Sequence, residues 1–102
     1  SHSGLVLTRD AFYGGVQAPR VPDYTTMSQA NVLAVEMECA ALFTVGSLRG
    51  VPTGAILAVD GNVLDGVESV DTYQPHRDTV VRAVEAAIQI AVQALYDLAE
   101  EA

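Results

Sequence analysis

The sequence predicts an α/β fold, and three observations carry that prediction. Short apolar runs recur at 5–8, 32–35 and 53–59; a stretch of helical period, 38–49, lies between the second and third; and an amphipathic stretch runs to the C-terminus. Leu5-Val6-Leu7-Thr8 suits a buried strand. Gly14-Gly15, Pro19 and Pro22 then mark a loop over 12–24, the kind of long connection after a strand on which binding residues sit. A short helix is expected over 25–31, capped by Thr25 or Thr26. Val32-Leu33-Ala34-Val35 is the second strand.

Between 38 and 49 the side chains of Ala41, Leu42, Val45 and Leu48 recur every three to four residues, which predicts a helix packed on one face. Arg49 followed by Gly50 supplies its stop signal. The run 53–59 then predicts a third buried strand, completing a strand–helix–strand unit of the right-handed, parallel kind. Asp60-Gly61-Asn62 forms a turn at its carboxyl end. Residues 63–73 alternate acids, Gly and single apolar residues without a sustained period and read as a loop or lid. Pro75 suits a first helical turn, after which Val81, Val84, Ile88, Ala91, Leu95 and Leu98 trace one face of a long terminal helix.

The 102 residues suit one domain, able to bury roughly two thirds of its unfolded surface. Thirteen acids oppose five basic residues, all Arg, for a net charge of -8. Such a surface repels phosphate backbones and anionic lipid, so neither nucleic acid nor membrane is expected as a partner. It suits high salt, where the Debye length is about 3 Å at ~1 M, and equally an acidic protein from a GC-rich genome. No uninterrupted apolar run approaches the ~20 residues that span a bilayer, and no secretory leader is visible. The lone Cys39 excludes an internal disulfide and points to a reducing, cytoplasmic setting. Placed beside Glu38, it reads as a small buried apolar residue rather than a nucleophile. The chain lacks an initiator Met and starts in the middle of an expected strand, so 1–102 reads as the carboxyl-terminal portion of a single domain whose amino-terminal part is absent.

Chemistry concentrates at Glu36-Met37-Glu38, where the second strand gives way to an alanine-rich helix. Side chains at the carboxyl end of a parallel strand face the crevice in which open α/β sheets bind ligands. A carboxylate there can accept hydrogen bonds from two neighbouring sugar hydroxyls. The plainer reading is a pair of solvated acids at a helix N-terminus, a placement favoured by about 0.3–1 kcal/mol.

The same segment resembles the ribose-binding signature of the nucleoside phosphorylase family that contains uridine phosphorylase and the hexameric-type purine nucleoside phosphorylases. The opening 2–13, with Asp10-Ala11-Phe12-Tyr13, is similar to that family's strand and base pocket, and 50–60 to its next strand and catalytic loop. The resemblance implies a three-layer fold with a mixed central sheet that ends in a long amphipathic helix. It implies an enzyme, a pentosyltransferase that cleaves a nucleoside with phosphate to give free base and ribose 1-phosphate, working as a cytoplasmic homo-oligomer, a hexamer in the complete protein. Phosphate is a co-substrate and no cofactor is required.

By this likeness Glu38 accepts the ribose 2′ and 3′ hydroxyls, Glu36 belongs to the same binding signature, Met37 packs on the sugar and Phe12 stacks on the base. Gln17 and Arg20 are of the types with which uridine phosphorylases read a pyrimidine, although Ala18 and Pro19 separate them where the family has one residue; ordinary loop polarity explains them equally well. Asp60 stands where purine-cleaving relatives carry a general acid, and can also simply begin a turn with Gly61. The phosphate cradle of the family, a glycine-rich loop with arginines, is not found in the chain, so these 102 residues alone are expected to be inactive. His2 and His76 are poor catalytic candidates, and no spacing of His, Cys and carboxylates suggests a metal. Uridine phosphorylase-like activity is the first reading. Purine phosphorolysis, hydrolytic nucleosidase activity and a non-catalytic ligand-binding fragment are its rivals.

Overall fold

The computed structural model describes residues 1–10, 23–64 and 72–102, arranged as two compact units, Ser1–Ala55 and Ile56–Ala102. The first holds β1 (Leu5–Thr8), α1 (Tyr24–Gln29), β2 (Val32–Glu36) and α2 (Cys39–Arg49); the second holds α3 (Asp78–Glu101). Strands and helices alternate through the first unit, which is the predicted α/β class.

β1 and β2 pair in parallel as a two-stranded sheet. Leu5 lies opposite Val32, but Val6 lies opposite Ala34, so β2 carries one extra residue at that step. A bulge of this kind shifts every later pair by one position. It sets Leu7 against Val35 and Thr8 against Glu36, where an even register from Leu5 onward would have set Thr8 against Val35. The ladder closes with the Arg9 N–H donating to the Glu36 carbonyl at 2.8 Å. Arg9 also ties the end of β1 to α1, since its guanidinium donates to the Tyr24 hydroxyl and lies 5.6 Å from the ring centroid, within cation–π range.

α1 starts one residue earlier than expected, and its cap is Asp23 rather than Thr25 or Thr26. The Asp23 carboxylate accepts from the Thr26 N–H at 3.2 Å and from the Thr26 hydroxyl at 2.7 Å, a stronger acceptor than either threonine at this position. These bonds lower the Asp23 pKa, the Thr26 hydroxyl contributing most. Asn31, in the left-handed region at φ 64°, turns the chain from α1 into β2, a conformation asparagine tolerates better than most residues. α2 ends as its sequence predicts: Gly50 adopts φ 65°, which lets the Val51 N–H reach the Gly46 carbonyl at 2.9 Å.

Further expectations are corrected. The run 53–59 forms no strand among the described residues. A strand exists only through ladder bonds to a neighbour, and here Ile56 and Val59 stand 48% and 70% exposed. The terminal helix begins at Asp78, not at Pro75; residues 75–77 form a turn before it. Its expected packing face, including Val81, Val84, Ile88, Leu95 and Leu98, is exposed, and so is the face expected to pack in α2, Ala41, Leu42, Val45 and Leu48; Cys39 and Gly46 are the buried residues of that helix. By length and composition alone α3 could cross a bilayer; the acids Glu85 and Asp97 and the base Arg82 interrupt it.

Cys39 and Val80 are the buried apolar side chains among the described residues. Gly46, buried within α2, packs so closely on 51–53 that an added Cβ would collide with the Thr53 methyl and sit 3.0 Å from the Val51 carbonyl oxygen. Gly46→Ala should therefore destabilise the protein by up to about 2 kcal/mol, an overpacking cost of about 1–3 kcal/mol less the ~1 kcal/mol that alanine gains over glycine in a helix. Urea unfolding checks this, and adding Thr53→Ser, which removes the colliding methyl, should recover part of the loss.

Candidate functional site

Thr8, Glu36 and the first turn of α2 meet at the carboxyl end of the parallel pair. A helix begins with backbone N–H groups that lack partners inside the helix, and a carboxylate is the strongest neutral-pH acceptor available for them. Glu36 fills that role. Its Oε2 accepts from the Glu38 N–H and from the Cys39 N–H, both at 2.6 Å, while its Oε1 accepts from the Thr8 hydroxyl. The Thr8 oxygen in turn accepts from the Ala40 N–H at 3.0 Å. One hydroxyl thus joins β1, β2 and α2.

Three donors on one carboxylate favour its ionised form. Glu36 is accordingly held down from an ordinary value near 4.5 to about 2, chiefly by the Thr8 hydroxyl, with the two backbone N–H groups adding to it. Cys39 moves the other way: burial first, then the Glu36 carboxylate, raise its thiol pKa. At neutral pH it is a protonated, buried thiol, as its setting beside an acid predicts.

Glu38 differs from Glu36 in every respect. It is the residue preceding the first turn of α2, with φ -126° and ψ -24°, and its side chain makes no capping bond. It is exposed, as is Met37 at 38%. Of the two acids at the strand end, one is consumed by the fold and the other is open to a ligand. The plainer expectation, a pair of solvated acids at a helix N-terminus, fails for Glu36, whereas Glu38 is solvated.

Asp60 belongs to the second unit, where it is half-buried and accepts from the Tyr73 hydroxyl at 2.6 Å. Two residues on, Asn62 Oδ1 accepts from the Leu64 N–H at 3.0 Å, whereas the turn expected over 60–62 does not form. Phe12, Gln17 and Arg20 lie outside the described residues. His2 and His76 are exposed, His76 in the turn before α3. Sequence reasoning found the two acids and missed Thr8 and Tyr73. Thr8 carried a readable signal, a lone hydroxyl at the end of an apolar strand, but its partner depends on the bulge in β2.

A family model described as the phosphorylase superfamily matches residues 1–96. Among curated proteins, the uridine phosphorylase of Treponema pallidum (strain Nichols) is 39% identical over 99 residues, covering 90% of this chain and 36% of its own length. A DeoD-type purine nucleoside phosphorylase of Geobacillus sp. (strain WCH70) is 36% identical over 90 residues, covering 88% of this chain and 35% of its own. The guanosine phosphorylase of Halorubrum lacusprofundi is 35% identical over 95 residues, covering 92% and 38%. The chain thus spans little more than a third of the length of these relatives. No solved structure matches it significantly.

The Glu36 network makes stability depend on acid in a defined direction. Because folding lowers the pKa of this carboxylate, its contribution is fully present above about pH 4.5 and is lost as pH falls towards about 2. Glu36→Gln should lower stability at neutral pH and flatten the slope within that window. Urea unfolding at a series of pH values reads the difference between the two proteins, and identical slopes would contradict the network.

Proposed function

Because this chain belongs to the phosphorylase superfamily, we propose that it is the ribose- and base-reading portion of a nucleoside phosphorylase whose first substrate is uridine. The observation that carries the reading is the uncommitted Glu38 carboxylate at the carboxyl end of β2, beside a Glu36 that the fold has already engaged. In phosphorolysis the ribose gains oxocarbenium character and the departing base gains negative charge. Glu38 binds the 2′ and 3′ hydroxyls and fixes the sugar while that charge develops. Met37 packs on the ribose, Phe12 stacks on the base, and Gln17 and Arg20 read the pyrimidine edge. The 39% identity to a uridine phosphorylase over most of the chain supports this choice of base.

Purine cleavage is the second reading. Asp60, held by Tyr73, would then protonate the departing base, and the identities to purine and guanosine phosphorylases support it. Either reading assigns the phosphate cradle to polypeptide outside these 102 residues, where the family resemblance puts it. The same proposal includes a three-layer fold with a mixed central sheet, a cytoplasmic homo-oligomer of hexameric type and no cofactor beyond phosphate as co-substrate.

In the full-length polypeptide that carries this segment, Glu38→Ala should lower kcat/KM for nucleoside cleavage by about 2–4 kcal/mol, the loss expected for a charged hydrogen-bonding group. Phosphate-dependent release of free base measures it, and unchanged kinetics would remove Glu38 from the site. Base release that proceeds equally well without phosphate would make the enzyme a hydrolase instead.

The choice of base has its own test. Uridine should be cleaved with the higher kcat/KM; a preference for inosine above about tenfold, ~1.4 kcal/mol, together with loss of inosine cleavage in Asp60→Asn, would establish the purine reading.

A further inference from the structure

We infer that Thr8 and Glu36 are a positioning pair: the Thr8 hydroxyl locks the Glu36 carboxylate against the start of α2, and that lock fixes where Glu38 presents its own carboxylate to the ribose. The inference rests on the ribose reading of Glu38 given above and adds two residues that do not themselves touch the sugar.

The geometry runs through backbone. Glu36 Oε2 holds the N–H of Glu38 itself at 2.6 Å and that of Cys39 at 2.6 Å. The peptide on the amino side of Glu38 is therefore fixed from β2, only two residues upstream. A carboxylate on a side chain with several rotatable bonds can cap in many orientations. Here the Thr8 hydroxyl removes that freedom by donating to the other oxygen, Oε1. The same hydroxyl accepts from the Ala40 N–H at 3.0 Å, so it cannot swing away without giving up both bonds. The bulge between Leu5 and Val6 is what brings Thr8 opposite Glu36.

Both carboxylate oxygens of Glu36 are thus engaged, whereas the Glu38 side chain makes no hydrogen bond to any described residue. For a site that must hold two vicinal hydroxyls within hydrogen-bond reach of one carboxylate, a small misplacement of the acceptor lowers the rate steeply. A β-branched residue at position 8 suits the strand, and the hydroxyl is what valine, its near-isostere, lacks.

The test compares uridine with 2′,3′-dideoxyuridine, or inosine with 2′,3′-dideoxyinosine if inosine is the better substrate, in the full-length enzyme with phosphate. The ratio of the two kcat/KM values reports how well the sugar hydroxyls are read. Glu38→Ala should collapse that ratio, and if it does not, the ribose reading falls and this inference with it. Given that collapse, Thr8→Val should lower the ratio about tenfold and Thr8→Ser should restore it, because serine keeps the hydroxyl. If Thr8→Val lowers both substrates by the same factor, or changes neither, Thr8 does not position Glu38 and the inference is overturned while the ribose reading stands. If Thr8→Val fails to fold, Thr8→Ala and Thr8→Ser are compared; a ratio equal in the two overturns the inference as well.

Discussion

The hydrogen bond from the Thr8 hydroxyl to the Glu36 carboxylate is the contact on which the first unit depends. It joins the last residues of two parallel strands, and through the N–H groups of Glu38, Cys39 and Ala40 it sets where α2 begins. Each participant would be poorly placed without the others. The half-buried Glu36 carboxylate needs donors, the helix start needs acceptors, and the Thr8 hydroxyl both gives and receives. With so few buried apolar side chains among the described residues, this polar junction carries an unusual share of the local order.

The junction also divides labour between two acids that the sequence presents as equals. Glu36 stays ionised because three donors stabilise its charge, and that charge faces the N-terminus of α2, where negative charge is favoured. Glu38, two residues further, is exposed and makes no capping bond. A phosphorylase that reads ribose through an acid needs that acid to be fixed by its backbone yet unengaged by its side chain. The Glu36 cap supplies the first condition and leaves the second intact. Cys39, the first residue of α2, is buried, and burial, then the Glu36 carboxylate, raise its thiol pKa.

What was legible in the sequence was what local chemistry decides. β1 and β2 follow from short apolar runs, and α2 follows from its period of three to four with Gly50 in the left-handed conformation that ends it. Asp23 illustrates a local signal misjudged, since an acid three residues before Thr26 is a better cap than Thr25 or Thr26 themselves. The run 53–59 illustrates a non-local failure: its composition suits a strand, but pairing is a property of two segments and no described residue pairs with it. The partnership of Thr8 with Glu36 was illegible for the same reason. It depends on a register shift at Leu5–Val6, which no pattern in either strand specifies alone. Glu36 and Glu38 could be singled out from their place at a strand end, but that the fold engages the Glu36 carboxylate and leaves the Glu38 side chain exposed is not written in either residue alone.

A crystal structure of the full-length enzyme with a bound nucleoside and phosphate or sulfate tests this division of labour most directly. The account predicts Glu38 carboxylate oxygens about 2.6–3.2 Å from the 2′ and 3′ hydroxyls, with Glu36 still bonded to Thr8 and to the first amides of α2. A ribose held by Glu36, with Glu38 turned to solvent or Thr8 released from its partner, would contradict it.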